Sequence, residues 1–341
     1  MARFDYPGGE RESWLERVAE PALEPDLPIV DAHHHLWVRD GTPYLLRELA
    51  GDLHAGHRIV ATVFVECHAM YRPTGPEAMK PVGEMAFIAG IGAMSDAGAF
   101  AVANVCRGAV ANADLTLGDG VLPVLDALET AADGRLRGIR ASVCWDADPR
   151  MHRTVPQARV LGETSVRRAL SHLERRGLSL DCWLYHTQLS DLVAVADALP
   201  NLTIVLNHTG TPILGGPYRD QQEAVRRSWL HGMAELARRP NVVVKLGALP
   251  ARFDGPNRAA GLPPTSEDVT RAWTPWILPC LELFGARRCL FESNFPVHKN
   301  WLAYGVLWNA FKRMAAAATM EEKQALFAGT ATRIYRLGNI P

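Results

Sequence analysis

Eight short, apolar, β-branched runs recur along this chain, each separated from the next by enough residues for a helix. They are Ile29–His35, Ile59–Glu66, Ala101–Cys106, Leu136–Ser142, Leu178–His186, Leu202–His208, Val242–Gly247 and Cys289–Asn294. Several are apolar throughout rather than alternating, the pattern of parallel strands covered on both faces. Helical patterns lie between them. Thr164 and Ser165 can cap a helix to about Arg176 that closes at Gly177, and Ala224–Arg239 is amphipathic and stops at Pro240. Ser266–Phe284 carries Pro275, which predicts a break there, and Thr319 with Glu322 forms a capping box before Lys323–Phe327. This alternation predicts an α/β protein, a single-domain (β/α)8 TIM barrel over residues 28–341. An irregular arm, residues 1–27 with a helical piece near Glu12–Ala19, precedes it. A doubly wound open sheet would prefer a Gly-rich phosphate loop after its first strand, and histidines stand there instead.

Composition supports a large core and narrows the partners. With 48% hydrophobic and 21% charged residues, 341 residues can fold as one barrel. A net charge of -1 with no basic run argues against nucleic acid, and no apolar run is long enough to span a membrane. The 6 cysteines form no C-x-x-C pair, and Met1–Glu20 is too charged and broken for a signal peptide. The expectations are a cytoplasmic enzyme with reduced thiols and a small-molecule substrate, pairing into homodimers.

The segments after the strands are long and rich in Gly and Pro (Tyr71–Gly83, Asp146–Glu163, Thr209–Asp220, Pro250–Pro264), whereas those before them are brief. Barrel enzymes place their sites on the loops after the strands. Polar residues gather at that end: Glu66, Arg140, His186, His208, Lys245, Glu292 and Asn294, with His33 and His35 ending the first strand. Strand parity puts Asp31, His33 and His35 on one face and His34 on the other. Imidazoles one pleat apart can grip one metal ion or polarise one carbonyl. Asp31 is expected to orient a histidine. Lys245 is either catalytic or paired inside the barrel with Glu66 or Glu292. His68 and His298 are rim candidates; His152 and the other loop and helix histidines read as solvated.

Four stretches carry a family resemblance. Asp31-Ala32-His33-His34-His35-Leu36-Trp37 resembles the first-strand motif of the amidohydrolase superfamily. Asn207-His208-Thr209-Gly210-Thr211-Pro212 resembles the sixth-strand "D-H-x-G-x-P" of its lactonase branch. Val242–Gly247 and Ser293-Asn294-Phe295-Pro296 are similar to that branch's "V-x-V-K-x-S-G" and "S-D-W-P". The branch includes 2-pyrone-4,6-dicarboxylate lactonase, sulfomuconolactone hydrolase and L-fuconolactonase.

The resemblance implies a TIM-barrel hydrolase that opens a lactone. His33, His35 and His208 match positions that polarise the carbonyl, directly or through a divalent metal such as Zn²⁺, and Arg140 matches a region that binds a substrate carboxylate. One departure matters. The branch's eighth-strand Asp, which deprotonates the attacking water, is Asn294 here, and an amide orients water without accepting its proton. Glu66 or Glu292 is then the expected base. His186 and Arg140 are expected to orient substrate, with Tyr71 and Trp145 walling the pocket. Two alternatives stand beside this reading. One is a decarboxylase of the same superfamily with His33, His35 and His186 on a metal. The other is a barrel that only binds its ligand.

Overall fold

The computed structural model describes residues 9–102, 104–249 and 256–340. Its core is an 8-stranded parallel sheet whose strands lie side by side in chain order. The strands are Ile29–His34, Ile59–Val65, Gly108–Asn112, Leu136–Ser142, Ser179–Trp183, Ile204–Leu206, Val242–Leu246 and Cys289–Phe291. The sheet closes on itself past the eighth strand, where His34 and Phe295 form a parallel bridge and Asn294 N donates to His33 O at 2.8 Å. This is the (β/α)8 barrel that the recurring runs predict.

Strand alternation sorts the barrel's side chains into two dry layers. Phe64, Ala109, Ile139, Leu180, Val244 and Phe291 face outward into the main core, against the helices. Val30, Ala61, Val63, Val110, Val243 and Leu290 face inward and pack on Ile334, Tyr335 and Leu337 of the tail, which plugs the bottom of the barrel. Apolar residues are therefore needed on both faces, and the runs read as continuous rather than alternating.

The third strand is not where the sequence put it. Ala101–Cys106 was the expected run, but Ala101, Asn104 and Cys106 have positive φ, and the strand is Gly108–Asn112. Residue 103 lies outside the described residues. Both stretches are short and apolar, and long-range fit decides between them. A Cβ on Gly108 would meet Leu337 Cδ2 at 2.9 Å, so the strand that touches the plug starts at a glycine.

Helices fall close to their expected bounds. Thr164–Arg176 buries Val166, Ala169, Leu170 and Leu173 on one stripe and ends at Gly177 with φ 64, though Glu163 rather than Thr164 is the capping position. Gln222–Ala237 replaces the expected Ala224–Arg239. Ser266–Phe284 runs through both Pro275 and Pro279 without a break. Its buried Trp273, Trp276, Ile277 and Phe284 hold it against the barrel, and packing offsets the lost backbone bonds. The Thr319–Glu322 capping box is present. In the arm, Gly9–Leu15 is helical, and Leu23 N donates to Asn309 Oδ1 at 2.8 Å; residues 1–8 lie outside the described set, as do 250–255 of the seventh-strand loop.

Candidate active site

The ends of the strands enclose one large cavity of about 1250 Å³. Of the residues expected at the site, His35, Glu66, Arg140, His208 and Asn294 line it. His33 and Glu292 are buried just beneath, against His208. Lys245 is deeper still, and Tyr71, Trp145 and His186 are not among the lining residues.

A single carboxylate organises the histidines. One oxygen of Glu292 accepts from His208 twice, from Nδ1 at 2.8 Å and from the backbone N at 3.1 Å. The other stands 2.9 Å from His33 Nδ1. His208 has φ 56, a conformation that non-glycine residues seldom hold, and Glu292 fixes both its backbone and its ring. Burial pushes the pKa values of His33, His35 and His208 down, so all three are neutral imidazoles. Burial alone would push Glu292 up, but His208 and Lys245 pull it below the ordinary glutamate value, leaving it ionised. With the Nδ1 proton of His208 held by a carboxylate, its Nε2 carries the lone pair, and Arg140 Nη2 stands 3.4 Å from it.

His35 is fixed in the same sense by a different group. Its Nδ1 donates to Val65 O at 2.8 Å, and the bare Nε2 faces Asn294 Oδ1 at 3.2 Å. Asn294 Nδ2 meets His298 Nδ1 at 3.2 Å, while His298 Nε2 donates to Leu249 O. Two acceptors thus face each other at His35 and Asn294, an arrangement that a water proton or a cation completes. The rings of His35 and His208 lie 4.9 Å and 4.7 Å from that of His33.

Three expectations need correction. Asp31 holds no histidine ring: it accepts from the backbone N of His33 at 3.3 Å, and otherwise from Ser293 Oγ, Ser293 N and Tyr304 OH, next to a register shift between Asp31 and His34. Burial raises its pKa to about 6. Lys245 pairs with neither Glu66 nor Glu292 but with Asp181, at 2.8 Å, and its Nζ also lies 3.3 Å from His33 Nδ1. His186 sits behind the sixth-strand loop, where its Nδ1 accepts from Ile213 N at 3.4 Å, so the ligand set His33, His35, His186 is not assembled.

Several lining residues escaped the sequence reading. Trp183 stands edge-on to His208 at 5.9 Å, with Arg140 over its ring at 5.1 Å. His152 joins the wall, with Arg39 and Arg153, whereas His68 and His298 line it as the expected rim candidates. Arg39 donates to Cys67 O and covers Trp37; Arg153 donates to Asp146 O and Ala147 O. Parity in the fifth strand, Ser179, Asp181, Trp183, was the available signal for Asp181 and Trp183. Nothing in the sequence marked Glu84, whose buried carboxyl accepts from Cys67 N and Ala69 N.

Among the described residues, His33, His208 and Glu292 form the group able to hold a metal ion, with one ligand atom from each lying within 4.8 Å of the others. Imidazole and carboxylate are ordinary zinc donors, and the buried His33 Nε2 has no hydrogen-bond partner. The donor set fits a divalent cation.

The amidohydrolase family model matches residues 30–337. An uncharacterised protein of Sinorhizobium fredii is 28% identical over 335 residues, 92% of this chain and 99% of its own length. An L-fucono-1,5-lactonase of Burkholderia multivorans is 28% identical over 206 residues, 60% of this chain and 64% of the lactonase. A crystal structure of an amidohydrolase from Burkholderia multivorans with bound zinc superposes with a TM-score of 0.68 at 22% identity, covering 92% of this chain and 99% of that one.

Proposed function

We propose that this chain, which belongs to the amidohydrolase family, hydrolyses a small cyclic ester that carries an anionic group. One observation carries the reading: Glu292 orients His33 and His208 beneath a cavity whose wall brings His35, His208, Arg140 and Glu66 together. The lactonase relative supports it at the level of reaction type.

The chain's own residues divide the work. Arg140, at the cavity wall, pairs with an anion on the substrate, and its Nη2 stands against the bare Nε2 of His208. Glu292 cannot be the base on water, because both its oxygens lie against imidazoles and it does not line the cavity. Glu66 does line it, at the end of its strand and beside Arg140. Asn294 orients water, as an amide can. His33, His208 and Glu292 would hold a divalent metal, which when bound supplies Lewis acidity to the ester carbonyl.

The test is a lactone panel with elemental analysis of the same preparation. His33→Ala and His208→Ala should each abolish turnover while the melting transition stays cooperative. Full activity in both variants would end this reading.

A further inference from the structure

We propose that His68 takes the proton from the attacking water, with Glu66 acting through it as a positioning residue. The inference rests on the hydrolytic reading above and answers the question that Asn294 raises, namely where the base is.

The geometry is that of a carboxylate–imidazole pair on the cavity wall. Glu66 Oε1 lies 3.6 Å from Arg140 Nη1. Its Oε2 is buried without a hydrogen-bond partner, and His68 Nε2 stands 3.5 Å from it. Such contacts are commonly long until substrate closes the site. The His68 side chain is 56% exposed and lines the cavity, so water reaches it, whereas Glu66 is 1% exposed. A buried carboxylate with an imidazole between it and solvent acts on water most directly through that imidazole.

The local backbone is built to hold the ring there. His68 has φ 62, in the left-handed region. The residues on either side of it are pinned by one atom: Glu84 Oε1 accepts from Cys67 N at 3.0 Å and Ala69 N at 2.8 Å. The ring stacks on Tyr71 at 5.2 Å and 26°, which sets its plane. A side chain with no task beyond solvation does not need a strained turn anchored by a buried carboxyl.

The proton bookkeeping closes. Once substrate draws the pair together, His68 Nε2–H donates to Glu66 Oε2, which leaves the Nδ1 lone pair free. As water oxygen bonds to the ester carbonyl carbon, its proton passes to Nδ1 and the carbonyl π pair moves onto oxygen. When that pair returns, the ring C–O bond breaks and the departing oxygen takes the proton from Nδ1. One water is consumed, one hydroxy acid forms and the imidazole is neutral again.

The experiment compares wild type, His68→Gln, His68→Ala and Glu66→Gln on the lactone panel. In His68→Gln, kcat should fall about 100- to 1000-fold with KM within about threefold of wild type. Added imidazole should restore turnover to His68→Ala but not to Glu66→Gln. If wild type turns over and both His68 variants keep kcat within about threefold, His68 is not the base while the hydrolytic reading stands. A loss that imidazole does not rescue and that appears in KM would make His68 a binding residue and overturn the proposal. If wild type opens no lactone, both readings fall together.

Discussion

Among the described residues, two ion pairs cross the inside of this barrel, and they differ in everything but charge. Lys245 and Asp181 lie 2.8 Å apart with both side chains sealed. Asp181 also accepts from Tyr335 OH at 2.7 Å, Asn207 Nδ2 and Ser179 Oγ, so every lone pair that matters is taken. Arg140 and Glu66 lie 3.6 Å apart at the cavity wall, and Glu66 Oε2 has no hydrogen bond. The closed pair is finished; the open pair has valences left to spend on something that arrives. A buried charge whose bonds are complete belongs to the fold, and one whose bonds are incomplete belongs to the chemistry.

The largest expected effect tests the closed pair. Asp181→Ala leaves Lys245 buried without its carboxylate and should cost about 3–5 kcal/mol of folding stability. Urea unfolding measures it. A loss below about 1 kcal/mol would mean the pair is no more a part of the fold than its neighbour at the mouth.

The contrast also explains what the sequence could and could not disclose. The barrel was legible because each strand needs apolar residues on both faces, and that need leaves continuous runs. Its third strand was not, because Ala101–Cys106 and Gly108–Asn112 look alike locally, and long-range pairing, with Gly108 close against Leu337, separates them. His35, Glu66, Arg140 and His208 were legible as cavity residues because they end strands on the loop-rich side. Asp31 was misread because parity fails across a register shift. Lys245 was assigned the wrong partner because Asp181 lies inside its strand rather than at its end, where charge was sought. His186 looked like its neighbours in sequence, but the turn after the fifth strand carries it behind the wall.

The open pair should behave in the opposite way to the closed one. Arg140→Met removes a charged hydrogen-bond donor from the substrate anion, so kcat/KM should fall about 10- to 100-fold, an effect of about 1.5–3 kcal/mol. Stability should fall by less than in Asp181→Ala, because Glu66 borders the cavity and shortening Arg140 opens a path for water to its carboxylate. Steady-state kinetics and a urea curve on the same variant decide it. A variant that unfolds but retains its activity when folded would erase the distinction between the two pairs.

A third comparison concerns what keeps Glu66 company. Burial, and then the charge of Glu66, raises the pKa of Glu84 to about 8, so at neutral pH the helix Val82–Asp96 buries a protonated acid. The folded chain therefore holds a proton that the unfolded chain releases from about 4.5 upward. Its contribution to stability is fully present below that value and is lost as pH rises towards about 8. The slope for one such proton is at most about 1.4 kcal/mol per pH unit. In Glu84→Gln an uncharged group keeps the acceptor for Cys67 N and Ala69 N and has no proton to lose. The stability difference between variant and wild type should therefore grow steadily from pH 5 to pH 8 and then level off. Buried groups common to both proteins cancel in that difference, including Asp31, which titrates in the same window. A difference that stays flat across the window would mean that Glu84 is ionised throughout, and that the open pair shares its pocket with a second negative charge.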